Sequence, residues 1–354
     1  MHDSLWQPIK VGGLDLDHRI VMAPMTRNRS TPEGVPNPMN VEYYAQRAGA
    51  TALIITEGTQ PSDDGQGYLL TPGIYTAAQI NGWRKVTDAV HDAGGRIFIQ
   101  LMHVGRVGHP VNTPHGRTPI APSPVRAAGT IVTYDGPLEL PVPREIDTAE
   151  IPGVVDDYRR AAAAAMEAGA DGVEIHGANG YLIHQFLAPN TNLRTDEYGG
   201  SDENKARFAL EVAQAVAAEI GAERTGFRIA PGNPFNDIQE TDPRSLYLHL
   251  VEQLAGLDLA YLHLVRPADD DFVKAIRAAW PNPLIVNHAR QPLEPRLDDL
   301  ANGLADILSL GALHIANPDL AVRLKGGHPL NQPDPDTFYG GDSRGYIDYP
   351  ALDA

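Results

Sequence analysis

Short apolar runs alternate with segments of helical periodicity along the whole chain. The runs predict eight strands, at residues 19–23, 52–56, 96–101, 172–176, 226–230, 259–264, 284–287 and 306–310. Each is followed by a segment of helical character, most clearly at residues 77–93, 203–220 and 269–279. This alternation is typical of parallel strands joined by crossover helices, and eight such units close a (β/α)8 barrel. An open, doubly wound sheet would alternate in the same way, but the eighth unit and the lack of a mid-chain linker favour an α/β TIM barrel.

Two long segments interrupt this rhythm. Residues 104–147, after the third strand, are rich in Pro, Gly and Thr, and within them residues 130–134 and 138–142 flank Asp135-Gly136-Pro137, which predicts a β-hairpin. An insertion of this length is more often a lid over a site than a linker. The tail, residues 326–354, is loop-like but contains aromatic side chains, so we expect it to dock onto the barrel: Phe338, Tyr339, Tyr346 and Tyr349. We therefore predict one domain over residues 1–354.

The composition narrows the classes of protein. The net charge is −17 with no long basic run, so nucleic acids and anionic membranes are not expected partners. There is no cysteine, which excludes disulfides, thiolate metal sites and cysteine nucleophiles. No stretch approaches the length of a membrane span, and residues 1–10 lack the apolar core of a signal peptide. We expect a cytoplasmic monomer or homodimer that acts on a small molecule.

Arg228 is an unusual residue for its position, because it lies inside the apolar run of the fifth predicted strand. A guanidinium cannot lose its proton there, so it needs an anion or strong acceptors. It could face an electron-rich ligand ring at the mouth of the barrel. It could equally form an internal ion pair with Glu57 or Glu174, which also lie near strand ends. The residues alone leave both interpretations open.

Three polar residues lie at the end of the fourth predicted strand or directly after it. His176 and Asn179 are three positions apart, so a helical turn would place both on one face as donors to a single substrate oxygen. Tyr181 comes directly after them and could deliver a proton without carrying a charge at neutral pH. Each residue alone would be explained by packing or capping, but the set at one strand end favours a site. His184 and His263 have the character of packing residues.

Other patterns exclude common cofactors. His103, His109 and His115 match no metal-ligand spacing and have no neighbouring carboxylates in the sequence, so no metal site is expected. The chain has no Walker-type loop, and Gly65-Gln66-Gly67 lacks the third glycine and the following helix of a dinucleotide-binding fingerprint. A nicotinamide cofactor would therefore bind on the barrel face rather than in a domain of its own.

Several long motifs occur in order along the chain. They are RIVMAPMTR at 19–27, YYAQRA at 43–48, QLMHVGR at 100–106, the run 171–187 with His176, Asn179, Tyr181 and His184, RTDEYGGS at 194–201, IANPDL at 315–320 and FYGG at 338–341. Together they resemble the Old Yellow Enzyme family, and the likeness covers essentially the whole chain. It implies a barrel that binds FMN, takes hydride from NADPH or NADH and reduces activated alkenes such as α,β-unsaturated carbonyl or nitro compounds.

The resemblance also implies roles for individual residues. Pro24, Met25 and Thr26 would face the polar edge of the flavin, Gly58 would lie beside its ring, and Gln100 and Arg228 would bind its pyrimidine side. His176 and Asn179 would bind the substrate oxygen, and Tyr181 would protonate the α-carbon. Tyr68, Met102 and Tyr346 would shape the substrate pocket, with the hairpin above it. Met102 replaces a tryptophan that is usual in the family, which should widen the pocket.

The chain departs from the family at the phosphate end. Asn287-His288-Ala289-Arg290 stands where glycines usually follow the seventh strand, and Gly311-Ala312 where a Gly-Arg pair usually follows the eighth. Phosphate binding relies on close backbone approach and positive charge, and both look weakened here. His288 or Arg290 could restore the charge. The alternative is a barrel homologue with weakened or altered flavin binding: a small-molecule binding protein, a deazaflavin protein or a non-redox enzyme.

Overall fold

A computed structural model describes residues 3–289 and 291–352, and its central element is a closed barrel of eight parallel strands. The barrel strands are β1 (Ile20–Met22), β2 (Leu53–Ile55), β3 (Ile97–Leu101), β4 (Gly172–Gly177), β5 (Thr225–Ile229), β6 (Tyr261–Val265), β7 (Leu284–Asn287) and β8 (Ile307–Leu310). Each strand pairs with the next, and β8 pairs with β1 to close the ring. All eight predicted strands are confirmed, with ends displaced by at most two residues, and the TIM barrel is confirmed with them.

Ten α-helices lie in the described part of the chain. They are α1 (Pro38–Ala48), α2 (Ala77–Asp92), α3 (Ile151–Glu167), α4 (Leu182–Leu187), α5 (Asp202–Ile220), α6 (Arg244–Ala255), α7 (Asp270–Ala279), α8 (Glu294–Ala301), α9 (Ala312–Ala316) and α10 (Leu320–Gly326). Side chains of Thr76, Ser201 and Asp269 accept hydrogen bonds from the first turns of α2, α5 and α7, which explains where these helices begin. Among the described residues, no helix combines the length and the apolar character that crossing a membrane requires.

Side chains alternate between the inside and the outside of the barrel wall, as strand geometry dictates. The lower interior is an apolar plug that includes Val21, Phe98, Tyr261 and Ile285. A short antiparallel pair, Ile9–Val11 with Leu14–Leu16, adds Val11 and Leu16 to this plug and so closes the lower end. The sequence analysis did not predict this pair. Because the lower end is filled, the open end of the barrel lies at the carboxyl ends of the strands.

The segment after β3 contains two short strand pairs. Thr130–Thr133 pairs antiparallel with Gly136–Glu139 around a turn, and Ile120–Ala121 pairs with Arg144–Glu145. The second strand of the first pair begins two residues before the predicted 138–142, because Gly136, with φ of 107°, allows the chain to reverse early. Ile131 and Leu140 form an apolar cluster with Tyr68 beneath this pair.

Buried arginines hold the C-terminal tail. Arg27 donates to the carbonyl oxygens of Phe338 and Gly345, each at 3.0 Å. Arg29 donates to the carbonyl oxygen of Asp342 at 2.9 Å. Tyr346 is fully buried and stacks on Tyr43 of α1 with ring centroids 4.2 Å apart. The tail is thus fixed by carbonyl acceptors, which a hydrophobicity pattern does not reveal.

Candidate active site

A layer of polar side chains lies above the apolar plug. The strand register places His176 beside Arg228 and Arg228 beside His263. Glu174, two residues before His176 on β4, lies beside Gln100 of β3. All five residues are buried. The carboxyl ends of parallel barrel strands form the usual place for a site, because side chains from several strands converge there. This layer is therefore where the structure brings the predicted residues of β3, β4 and β5 together.

Glu174 is the centre of this layer. Its carboxylate accepts from Gln100 Nε2 at 2.7 Å, from the Tyr261 hydroxyl at 3.1 Å and from His263 Nδ1 at 2.8 Å. Tyr261 reaches across the barrel because residue 226 is glycine: a Cβ there would lie 2.2 Å from the tyrosine ring. Burial acts to raise the pKa of the Glu174 carboxyl, but His263, the positive charge of Arg228 and the hydrogen bond from Gln100 outweigh it and hold the pKa below its ordinary value.

Arg228 has a buried hydrogen-bond donor that no other described residue accepts from. Its Nε is buried without a hydrogen-bond partner, and no described carboxylate oxygen lies within 4.0 Å of its guanidinium. Glu174 is engaged as above, and Glu57 accepts instead from the Tyr44 hydroxyl and the Arg27 amide. The internal ion pair left open by the sequence is therefore not formed. A buried donor without an acceptor is costly, so the arrangement suits a ligand that accepts from Arg228.

His176 has the same feature, since its Nδ1 is also buried without a partner. Burial, and then the positive charge of Arg228, hold the pKa of His176 well below its ordinary value. The imidazole is therefore neutral at physiological pH and presents one N–H donor and one acceptor. A neutral donor of this kind suits a carbonyl or nitro oxygen.

The turn after β4 is held in a specific backbone conformation. Asn179 has φ of 56° and Gly180 has φ of 77°, and a Cβ on Gly180 would lie 2.5 Å from the carbonyl oxygen of Phe235. Asn236 donates to the Asn179 carbonyl at 2.8 Å, and Asn233 donates to the Asn179 side-chain oxygen at 3.3 Å. The Asn179 amide N–H2 group stays available to a ligand, because its oxygen is the atom bound by Asn233.

Tyr181 lies beside His176, with ring centroids 5.2 Å apart. Its hydroxyl is 3.1 Å from the hydroxyl of Tyr68. Burial, followed by the neighbouring Tyr68, raises the pKa of Tyr181 well above its ordinary value. The phenol therefore carries its proton throughout the physiological range. If Tyr68 donates to the Tyr181 oxygen, the Tyr181 O–H is free to point elsewhere.

An apolar wall completes this part of the site. Met102, Val104, Val107 and Tyr181 form one cluster, with Tyr68 packed against it. Met102 lies directly on Gly58, where an added Cβ would come 2.5 Å from its sulfur atom. The glycine is therefore needed for the position that Met102 takes, and the two predicted residues act as one surface.

The predicted residues of β1 and β8 also meet. Pro24, Met25 and Thr26 follow β1 and are half-buried. A Cβ on Gly311, just after β8, would lie 3.2 Å from the Met25 sulfur. Ala312 next to it is exposed. These residues form the opposite side of the mouth from Gln100 and Arg228.

The residues after β7 are arranged differently from the expectation. His288 Nε2 donates to Asp299 of α8 at 2.7 Å, and Ala289 is exposed. Arg290 lies outside the described residues. Tyr346, predicted in the substrate pocket, is fully buried against Tyr43, and its hydroxyl accepts from Asn40 at 3.0 Å. Tyr346 therefore anchors the tail and is not available to line a pocket.

Three residues of this region were missed by the sequence analysis. Glu174 and His263 were given no role in a site, although they form the network under Arg228. Tyr339 is 70% exposed and lies at the rim. Burial of Tyr68 and of Tyr181 is the main cause that raises the pKa of each, and the nearby Tyr339 raises both pKa values further. Its place among the tail aromatics and within the FYGG motif at 338–341 was the available signal.

The histidines of the insertion have carboxylate neighbours that the sequence did not reveal. His115 lies within 4.8 Å of oxygen atoms of both Asp63 and Asp64, some 50 positions earlier in the chain. Arg117 already pairs with both carboxylates, at 2.8 Å and 2.7 Å. The group is thus an ion-pair cluster on the surface of the insertion.

Comparisons with known proteins agree with this geometry. The sequence model of the NADH:flavin oxidoreductase / NADH oxidase family matches residues 4–331. A probable flavin mononucleotide-dependent alkene reductase of Leishmania infantum is 42% identical over 361 residues, covering 99% of this chain and 98% of that protein. Morphinone reductase in complex with tetrahydroNAD has 44% identity and a TM-score of 0.95, covering 99% of this chain and 98% of the other.

An old yellow enzyme homologue from Zymomonas mobilis has 40% identity and a TM-score of 0.95, covering 98% of this chain and 99% of that one. Matches of this extent include the barrel, the insertion and most of the tail. The family's description couples NADH to a flavin, the Leishmania relative is named for flavin mononucleotide, and the morphinone reductase structure contains tetrahydroNAD. The chain therefore belongs to the NADH:flavin oxidoreductase family that includes the Old Yellow Enzymes, and it is a flavin-dependent oxidoreductase.

Proposed function

We propose that this protein reduces the activated C=C bond of α,β-unsaturated carbonyl or nitro compounds, with NADPH or NADH as the reductant. One observation carries the proposal. Buried polar atoms without partners, on Arg228 and His176, lie beside a phenol that keeps its proton, at the open end of the barrel. Such a set can bind an electron-rich ring, polarise a substrate oxygen and supply a proton.

The flavin ring would be bound by residues from four strands. Arg228 and Gln100 would donate to its pyrimidine side, which would give the Arg228 guanidinium the acceptor that it lacks. Gly58 would allow close approach of the ring, and the segment Pro24-Met25-Thr26 would lie along its polar edge. Bound FMN supplies a hydride acceptor for the nicotinamide and a hydride donor for the alkene.

The substrate would be oriented by its oxygen. The N–H of neutral His176 and the amide of Asn179 are both available as donors, and two donors on one oxygen draw electron density away from the alkene. Tyr181 would transfer its phenolic proton to the α-carbon. A hydrogen bond from Tyr68 would stabilise the Tyr181 oxygen after this transfer. Met102 and Tyr68 would contact the apolar part of the substrate, with Tyr339 at the rim.

Anaerobic spectroscopy of the FMN-loaded protein tests the proposal. We expect NADPH or NADH to bleach the visible flavin band, and a cyclic enone or a nitroalkene to restore it. A matched pair of variants assigns the site: His176→Ala with Asn179→Ala should raise KM for the enone, while Tyr134→Phe on the exposed hairpin should leave it unchanged. A flavin band that NADPH or NADH bleaches but that no activated alkene restores would contradict the proposal.

A further inference from the structure

Arg266 and His288, at the ends of β6 and β7, both bind Asp299, and Arg266 also pairs with Asp270 of α7. Asp299 of α8 accepts from Arg266 Nε at 2.6 Å and Nη2 at 3.2 Å, and from His288 Nε2 at 2.7 Å. All three side chains are largely buried, with 15% exposure or less. The positive charge of Arg266 and the hydrogen-bonding capacity of His288 are therefore used within the protein.

The alternation of side chains explains this pairing. On β7, Ile285 belongs to the interior plug while Leu284 and Val286 face the helices. Asn287 then points inward, donating to Ser309 on β8. His288 is the next residue, so it faces the helical layer and meets Asp299. Arg266 also faces the helical layer, because it lies two positions after Leu264 and four after Leu262, which face the helices from β6. Neither the Arg266 side chain nor the His288 side chain faces the mouth of the barrel.

The neighbouring described residues do not replace this charge. Ala312 and Ala289 are exposed alanines. Arg296, at the start of α8, donates to the carbonyl oxygens of Gln291 and Pro292, at 2.6 Å and 3.1 Å, and so supports its own loop. In barrels of this class, phosphate groups commonly bind at the loops after the seventh and eighth strands. Gly311, which follows the eighth strand, lies next to Met25, so these loops adjoin the proposed ring site.

We propose that this protein holds its flavin through the ring and not through the phosphate, so that it binds riboflavin about as tightly as FMN. This inference rests on the proposed function, because it assumes that a flavin occupies the site. The ring site has a buried Arg228 Nε without a described partner, whereas at the ends of β6 and β7 the charge of Arg266 is already balanced by Asp299 and Asp270. A phosphate there would gain little charge-assisted hydrogen bonding.

The test is a titration of flavin-free protein with FMN and with riboflavin, followed by quenching of flavin fluorescence. We expect dissociation constants that agree within about threefold, since one or two charged hydrogen bonds to a phosphate would make FMN bind at least about tenfold more tightly. FMN binding that is tenfold tighter or more would overturn the inference and leave the proposed function standing. Binding of neither flavin would refute both.

Three variants sharpen the test. Ala312→Arg places a cation at an exposed position and should tighten FMN binding by about tenfold without changing riboflavin binding, whereas Ala312→Gln should change neither. A wild-type preference for FMN of tenfold or more, together with an unchanged FMN to riboflavin ratio in Ala312→Arg, would show that other residues hold the phosphate and would overturn the inference. The third variant, Arg290→Ala, tests the arginine that lies outside the described residues. We expect a change below about threefold, and a selective tenfold loss of FMN affinity would contradict us.

Discussion

The two sides of the barrel mouth use buried polar groups in opposite ways. At the ends of β4 and β5, His176 Nδ1 and Arg228 Nε have no hydrogen-bond partner. At the ends of β6 and β7, Arg266 and His288 are both bound to Asp299. Buried polar groups are normally satisfied, so the free atoms of His176 and Arg228 at the open end of the barrel suit a ligand, and the paired ones mark a structural contact. Charge near a site is thus not evidence of binding until its partners are known.

The largest effect is expected for Arg228→Met. Losing about two charge-assisted hydrogen bonds to the ring should weaken binding of both FMN and riboflavin by roughly a thousandfold. Arg266→Met is the matched variant at the other end and should change flavin affinity by less than about threefold. Fluorescence titration measures both. Equal losses in the two variants would remove the contrast between the two sides.

Tyr181→Phe should have the next largest effect. Losing the proton donor should slow reoxidation of the reduced flavin by an enone about a hundredfold, because general acid catalysis contributes at least this much. Reduction of the flavin by NADPH or NADH should keep its rate, since it requires no proton from this phenol. Stopped-flow absorbance resolves the two half-reactions, and equal slowing of both would argue against the assigned role.

Glu174→Gln probes the network beneath the ring. Removing this carboxylate leaves the Arg228 charge less balanced, which should favour the reduced, anionic flavin over the oxidised form by about tenfold, or roughly 30 mV in a two-electron potential. Asp299→Asn is the control at the other side and should leave the potential unchanged. Spectroelectrochemical titration gives both values. A lower potential in Glu174→Gln would show that Arg228 does not act on the ring.

Asp299→Asn should instead affect stability, by about 2 kcal/mol at neutral pH. Burial acts to raise the pKa of Asp299, but hydrogen bonds from His288 and Arg266 outweigh it and hold the pKa below its ordinary value of 3.8. The contribution is therefore present above pH 3.8 and is lost as the pH falls through the depressed folded-state pKa. Denaturant unfolding at several pH values should show wild type and variant converging in acid. A constant difference at all pH values would be inconsistent with this pairing.

The barrel could be predicted from the sequence because its signals are local. Each strand is a short apolar run, and the caps of α2 and α5 stand next to the helices they begin. Tyr181, His176 and Asn179 follow one strand within six positions, so their proximity did not depend on the rest of the fold. The departure at Ala312 was also visible, since it lies within a recognisable motif.

Other features depend on contacts distant in the chain. Glu174 meets His263 across 89 positions, and no local pattern indicates that this carboxylate binds His263 instead of Arg228. Tyr346 was placed in the pocket by the family resemblance, but stacking on Tyr43 and the hydrogen bond from Asn40 hold it against α1. His288 was expected to offer a charge because its partner Asp299, on the following helix, could not be identified without the register of β7.

The most direct measurement is a crystal structure with bound FMN, in which the distances from the Arg228 guanidinium to the flavin and to Glu174 are read together. We predict that guanidinium nitrogens lie within about 3.2 Å of acceptors on the pyrimidine side of the ring, while Glu174 keeps its bonds to Gln100, Tyr261 and His263. A guanidinium turned onto Glu174, with the ring bound elsewhere or not at all, would contradict the account.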